Sequence, residues 1–168
     1  MQGLIDENLN NELNTLVGQC FLGNRILDRD MTILSVKFTL NNAVKFLHVG
    51  LSHLYPILAD KISDYQGARD NLTIYPDTPK DDTDYPDLIS LFQRFLDYQL
   101  NFEKSVKEVI DTAIELKDYN TKVFLESFLL ALNKYTEQAI LLVDKSLLYG
   151  KDYVGFDRDI ENFFLFGD

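Results

Sequence analysis

The chain has 168 residues, which suffices for one well-packed domain and is short for two. A hydrophobic content of 46% excludes a disordered chain, and the sequence has neither an apolar run of roughly 18 to 20 residues nor a signal-peptide-like start, so we expect a soluble, cytoplasmic protein without a membrane partner. A net charge of −11 without a basic tail argues against binding of nucleic acid, because phosphate contacts need clustered Lys and Arg.

Two long helices are predicted in the first 69 residues. The first covers about 4–28 on an apolar stripe that includes Cys20, and its end is predicted at Asp28-Arg29-Asp30. As the only cysteine, Cys20 excludes an intrachain disulfide, and its apolar neighbours predict a buried side chain. The second helix covers about 33–69, with a kink expected at Pro56. Its stripe consists of Leu40, Val44, Leu47, Leu51, Leu54 and Leu58.

A segment rich in Pro and Asp, about 70–86, separates these helices from three more, predicted at about 87–117, 121–148 and 157–165. Short connections make each neighbouring pair of long helices an antiparallel hairpin. The 70–86 segment can span about 55 Å when extended, whereas a 30-residue helix is about 45 Å long. The segment is therefore long enough to cross the whole bundle and leave the second and third helices parallel. We predict one all-α domain over 1–168.

Several stretches together resemble the non-haem ferritins: Leu9-Asn10-Asn11-Glu12-Leu13-Asn14, Lys45-Phe46-Leu47-His48, Asp118-Tyr119-Asn120-Thr121 and Phe124-Leu125-Glu126-Ser127-Phe128. The resemblance implies a ferritin-like four-helix bundle with one long crossover, between helices 2 and 3, and a short C-terminal fifth helix. It also implies a diiron centre, in which two ligand positions fall on Glu12 and His48. Other ligand positions fall on Lys45, Gln99, Leu132 and Tyr135, so bridging carboxylates of the family are replaced.

These replacements predict a plugged centre. A Lys45 ammonium repels metal and pairs with Glu12, while Leu132 and Tyr135 fill the space. Two alternatives stay open: a deprotonated Lys45 that ligates, or a shifted single-metal site made of Glu12, His48 and Glu103. His53 lies about 140° round a regular helix from His48, so no histidine pair is expected.

The resemblance implies iron binding or storage and self-association, as a dimer, as a 24-subunit shell, or in a mixed shell with an active ferritin. Iron is possible, but the replaced ligands favour its absence from the diiron position and a lost or strongly reduced ferroxidase activity. The alternative function is a structural or interaction protein that uses the bundle as a scaffold without metal. The aromatic C-terminal end is predicted either to meet a partner or to fold back on its own bundle.

Overall fold

A computed structural model describes residues 3–166, and all regular structure in that range is helical. The α-helices are α1 (Glu7–Ile33), α2 (Asn41–Leu47), α3 (Leu54–Ala68), α4 (Leu88–Glu115), α5 (Tyr119–Tyr149) and α6 (Tyr153–Asp159). Two π-helical segments (Leu34–Phe38 and His48–Ser52) extend α1 and α2, and a 3-10 turn (Ile160–Asn162) follows α6. Within residues 3–166, no helix is long and apolar enough to cross a membrane.

Aspartate side chains fix where four of the helices begin. Asp6, Asp87, Asp118 and Asp152 each accept a hydrogen bond from a backbone N–H in the first turn of α1, α4, α5 and α6. Such caps satisfy donors that have no partner inside the helix. They explain why α1 begins at Glu7, after the predicted position 4, and why the last helix begins at Tyr153, before the predicted position 157.

Side-chain contacts along α1 define the predicted topology. Asn24 Nδ2 donates to Ser52 Oγ at 2.8 Å, and Gln66 Nε2 donates to Asn10 Oδ1 at 2.9 Å. The second arm of the bundle, which consists of α2, the π segment after it and α3, therefore runs antiparallel to α1. The crossover then returns along α1, where Asn14 Oδ1 accepts from Ile74 N and Arg29 Nε donates to the Thr83 carbonyl.

Helix α4 starts at the far end of α1 and runs back along it. Arg94 pairs with Asp30 near that end, while Thr112 contacts Glu12 near the start of α1. Helices α3 and α4 are therefore parallel, and α5 packs antiparallel on α4. The predicted all-α, ferritin-like four-helix bundle with one long crossover and a short C-terminal helix is confirmed.

The predicted helix end at Asp28–Asp30 is wrong. Helix α1 continues to Ile33, and the π segment carries it to Phe38, after which Thr39 adopts a positive φ of 59°. Asp30 lies on the buried face of the continuing helix, where Arg94 of α4 is close to its carboxylate. The second helix consequently begins at Asn41 and not at 33.

The predicted interruption near Pro56 takes the form of a π segment just before it. His53 N donates to the His48 carbonyl at 3.2 Å, five residues back, and α3 restarts at Leu54. Pro56 has no backbone N–H and so cannot donate a hydrogen bond to the Ser52 carbonyl. This carbonyl accepts a hydrogen bond from Asn24 Nδ2 at 3.2 Å instead.

The apolar core fills the space between the long helices and extends under the C-terminal segment. Cys20 is fully buried, as predicted. The C-terminal aromatics fold back on their own bundle: Phe156 and Phe163 are buried, and Phe164 packs against Phe46 with ring centroids 5.4 Å apart.

Candidate functional site

A cluster of polar side chains lies at the centre of the bundle, where the four long arms face one another. It consists of Cys20, Tyr55, Tyr98, Gln99 and Tyr135, called the central cluster below. The Tyr55 hydroxyl donates to Gln99 Oε1 at 2.6 Å, and both residues are fully buried. The Tyr98 and Tyr135 rings pack edge-on against Tyr55, with centroids 5.7 Å and 5.4 Å away. Four helical segments thus contribute to one closed cluster.

A chain of hydrogen bonds leads from this cluster toward the surface. Gln99 Nε2 donates to Thr136 Oγ1 at 3.2 Å, and the Thr136 hydroxyl donates in turn to Glu103 Oε1. Lys107 lies 3.8 Å from the other oxygen of the Glu103 carboxylate. Glu103 is therefore the last member of the hydrogen-bonded chain. Its carboxylate accepts a hydrogen bond from Thr136 and faces the Lys107 ammonium group at the rim of the bundle.

The central cluster is held in its neutral protonation state. Burial raises the pKa of Tyr55 well above its ordinary value, and nearby Tyr135 and Cys20 raise it further. Burial likewise raises the pKa of Tyr135 to about 12 and the pKa of the Cys20 thiol. Phenols and a thiol that keep their protons are poor ligands for a divalent cation, because thiolate and phenolate are the ligating forms.

Close packing also leaves little room in the cluster. A Cβ atom added at Gly23 of α1 would approach the Tyr98 hydroxyl and lie 2.7 Å from Cδ1 of Tyr55. A residue without a Cβ at position 23 is therefore needed for α1 to pack this closely against Tyr55 and Tyr98. The two tyrosine side chains fill the space between α1, α3 and α4.

The structure does not bring Glu12 and His48 together. Asn10 faces Gln66 across the antiparallel pair of helical arms, and Asn24 faces Ser52. Glu12 is therefore level with about residue 64, roughly 24 Å along the axis from His48 at 1.5 Å per residue. Glu12 instead accepts a hydrogen bond from Thr112 Oγ1 at 3.2 Å, at the opposite end of α1. The shifted single-metal site of Glu12, His48 and Glu103 is not assembled.

The predicted ion pair between Lys45 and Glu12 is wrong for the same reason. Lys45 lies exposed on α2, at the end of the bundle that is remote from Glu12. Leu132 and Tyr135 lie in the core, and Gln99 belongs to the central cluster.

The prediction that His48 and His53 lie on different faces is also wrong. Their ring centroids are 4.3 Å apart, because the π segment adds one residue to the turn between them. Both side chains are exposed at the surface, and both line a pocket with Asp28.

The side chains at the bundle centre do not fit a two-iron centre of the ferritin kind. Such a centre needs several inward-facing carboxylates together with histidine. The central cluster offers an amide, three neutral phenols and a thiol, and Glu103 is already engaged. Within residues 3–166, His, Cys, Asp and Glu side chains do not come together in any group of three or more that could hold a metal ion.

Sequence reasoning missed Tyr55, Tyr98 and Thr136 as members of this network. One available signal was Tyr55 itself, a residue with an apolar ring and a polar end that lies between Leu54 and Pro56, where the helix is expected to be interrupted. A second was Gly23, a small residue inside a long helix, which indicates close approach of another side chain.

Comparisons with known proteins agree with this architecture. Residues 58–140 match the family model Ferritin, described as a ferritin-like domain. An open pore ferritin from the archaeon Archaeoglobus fulgidus is 18% identical, with a TM-score of 0.86 over 95% of this chain and 98% of that one. A humanized archaeal ferritin is 20% identical, with a TM-score of 0.84 over 93% and 95%. Chlorobium tepidum ferritin is 18% identical, with a TM-score of 0.79 over 94% and 96%. No curated protein matches the sequence.

Proposed function

Because this chain belongs to the ferritin family, we propose that it is a ferritin-like subunit that has kept the bundle and lost intrinsic two-iron oxidation. One observation carries the proposal: the hydrogen-bonded chain from Tyr55 through Gln99 and Thr136 to Glu103 fills the centre of the bundle. In this fold, metal sites are built in that centre from side chains on facing helices.

Charge balance supports the proposal. Two ferrous ions bring four positive charges into a buried space, and hard cations of this kind are offset by carboxylates. Glu103 is the carboxylate that the network reaches, and Lys107 already balances it. Ionising Tyr55 or Cys20 to supply more negative charge is opposed by burial, which raises the pKa of both groups.

We assign iron to this subunit as cargo. The net charge of −11 favours cation accumulation near its surface. Self-association, into a homo-oligomeric shell or a mixed shell with an active ferritin subunit, is proposed from the family. Exposed apolar side chains on the crossover, Leu72 and Ile74 among them, suit contact with another subunit.

The test is to measure assembly size by analytical ultracentrifugation and ferrous oxidation by absorbance after air is admitted. An active ferritin in the same buffer serves as the positive control. The proposal predicts a large assembly whose oxidation rate equals that of buffer, unchanged in an E103Q variant. Oxidation well above the buffer rate, and sensitive to E103Q, would contradict the loss of the centre.

The second candidate function is a metal-free structural or interaction protein built on the same bundle. The exposed apolar side chains of the crossover favour it equally, because they need a partner and no metal. A small, fixed oligomer that retains no iron after incubation with ferrous salt would favour this candidate over the shell subunit.

A further inference from the structure

The two histidines of this chain are neighbours at the surface. The backbone N–H of His53 donates to the carbonyl of His48 across the π segment, and this bond places residue 53 one turn above residue 48. The rings lie 4.3 Å apart between centroids and are inclined by 65°. π turns are rare, and they are found frequently at functional sites.

A carboxylate lies in the wall of the same pocket. Asp28 of α1 lines the same surface pocket as His48 and His53. Its Oδ1 accepts from Ser52 Oγ at 2.6 Å, and Asn24 Nδ2 donates to that same hydroxyl oxygen at 2.8 Å. Ser52 belongs to the π segment, so the segment that aligns the histidines also orients the Asp28 carboxylate in the wall of the same pocket.

We propose that His48 and His53 together bind one divalent transition-metal ion at this surface pocket. Imidazole nitrogens suit Zn²⁺, Ni²⁺, Cu²⁺ and Fe²⁺, whereas Mg²⁺ and Ca²⁺ prefer oxygen. Asp28 assists through its charge and through a coordinated water, and further waters complete the coordination shell. Both rings are exposed, so solvent reaches the remaining coordination positions of the metal.

This site is separate from the central cluster and independent of any two-iron chemistry. His48 and His53 face solvent, whereas Tyr55 and Gln99 are fully buried. A metal bound by the histidines therefore leaves the central hydrogen bonds intact. In a shell of such subunits, the pocket is a place for cation capture that needs no diiron ligand.

The experiment is a calorimetric titration of the full-length protein with Ni²⁺, and separately with Zn²⁺, for wild type, H48N, H53N and D28N. Wild type is expected to bind one metal per subunit with each ion, and both histidine variants are expected to lose this site. D28N is expected to bind about tenfold more weakly, because outer-shell partners of a metal ligand contribute effects of that size. Circular dichroism of each variant checks that the fold is kept.

Nitrogen-15 NMR of the histidine rings supplies a second readout, because the chain has only 2 histidines and both signals are assignable from the variants. Zn²⁺ is expected to shift both ring signals at the same metal-to-subunit ratio. Metal binding that persists in H48N and H53N, or that shifts only one ring, would overturn the proposal, as would absence of binding by folded wild type.

Discussion

Removing the Tyr55 hydroxyl tests whether the central cluster stabilises the bundle. In Y55F, Gln99 Oε1 loses its 2.6 Å hydrogen bond at a site without solvent access. A buried acceptor left without a partner costs about 1–3 kcal/mol. For a chain of this length, each kcal/mol lowers Tm by about 2–4 °C, so Y55F is expected to melt roughly 2 to 12 °C below wild type.

Urea unfolding measures the loss of free energy of unfolding, and a thermal melt measures the shift in Tm, both followed by circular dichroism. The protein concentration is held fixed, because subunit association shifts apparent stability. The matched control is Y119F, since the Tyr119 side chain is 63% exposed at the surface. Its free energy of unfolding is expected within about 0.5 kcal/mol of wild type.

A double variant separates the hydrogen bond from general packing effects. In Y55F/Q99L both polar partners are removed together, and such paired replacement by apolar groups is close to neutral. The double variant is therefore expected to be less destabilised than the sum of the two single variants. The reasoning is refuted if Y55F is as stable as Y119F, or if the two single effects simply add.

Three further perturbations test other parts of the structure by urea unfolding. In G23A the free energy of unfolding is expected to fall by about 1–3 kcal/mol, because the added Cβ would meet Tyr55 and Tyr98. G67A is the control, since a Cβ at residue 67 meets nothing within 4 Å, and its free energy of unfolding is expected to rise by about 0.5–1 kcal/mol. Equal effects would contradict the close packing. In D118A the free energy of unfolding is expected to fall by about 1 kcal/mol, because α5 loses the side chain that caps its first turn. An unchanged free energy of unfolding would show that this cap is dispensable. Burial raises the pKa of Asp30 well above its ordinary value, and attraction to Arg94 offsets this only in part. The protonated form of Asp30 therefore stabilises the folded protein relative to the unfolded one. This contribution is fully present below the unfolded-state pKa of about 3.9 and is lost as the pH rises through the folded-state pKa. The free energy of unfolding of wild type, measured relative to D30N, should accordingly fall as the pH rises above about 4, and a rise would contradict the direction of the shift.

The fold follows from features that are legible along the chain. Prolines and aspartates over 70–86 exclude a helix there, and the length of that segment sets the crossover. Aspartates also begin four of the helices, so most helix starts have a local cause. Interactions distant in sequence are not legible in this way: Asp30 lies on the buried side of α1, where Arg94, 64 residues later, faces it.

The candidate site was harder to predict because the two π segments shift the helical register. The predicted stripe of the second arm includes Leu54 and Leu58 after Leu51. In the structure Leu54 is only partly buried and Tyr55 points into the core. One extra residue in the turn His48–Ser52 accounts for the change, and it also aligns His53 with His48. Backbone hydrogen bonding of this kind leaves no clear mark on apolar periodicity.

The most direct test of the account is an anaerobic titration with ferrous ion, in wild type and in the H48N/H53N variant, followed by admission of oxygen. The account predicts at most one ion per subunit in wild type, none in the double variant, and oxidation in both at the rate of buffer. Two ions per subunit that remain in the double variant and oxidise rapidly would contradict it, because they would locate a working diiron centre inside the bundle.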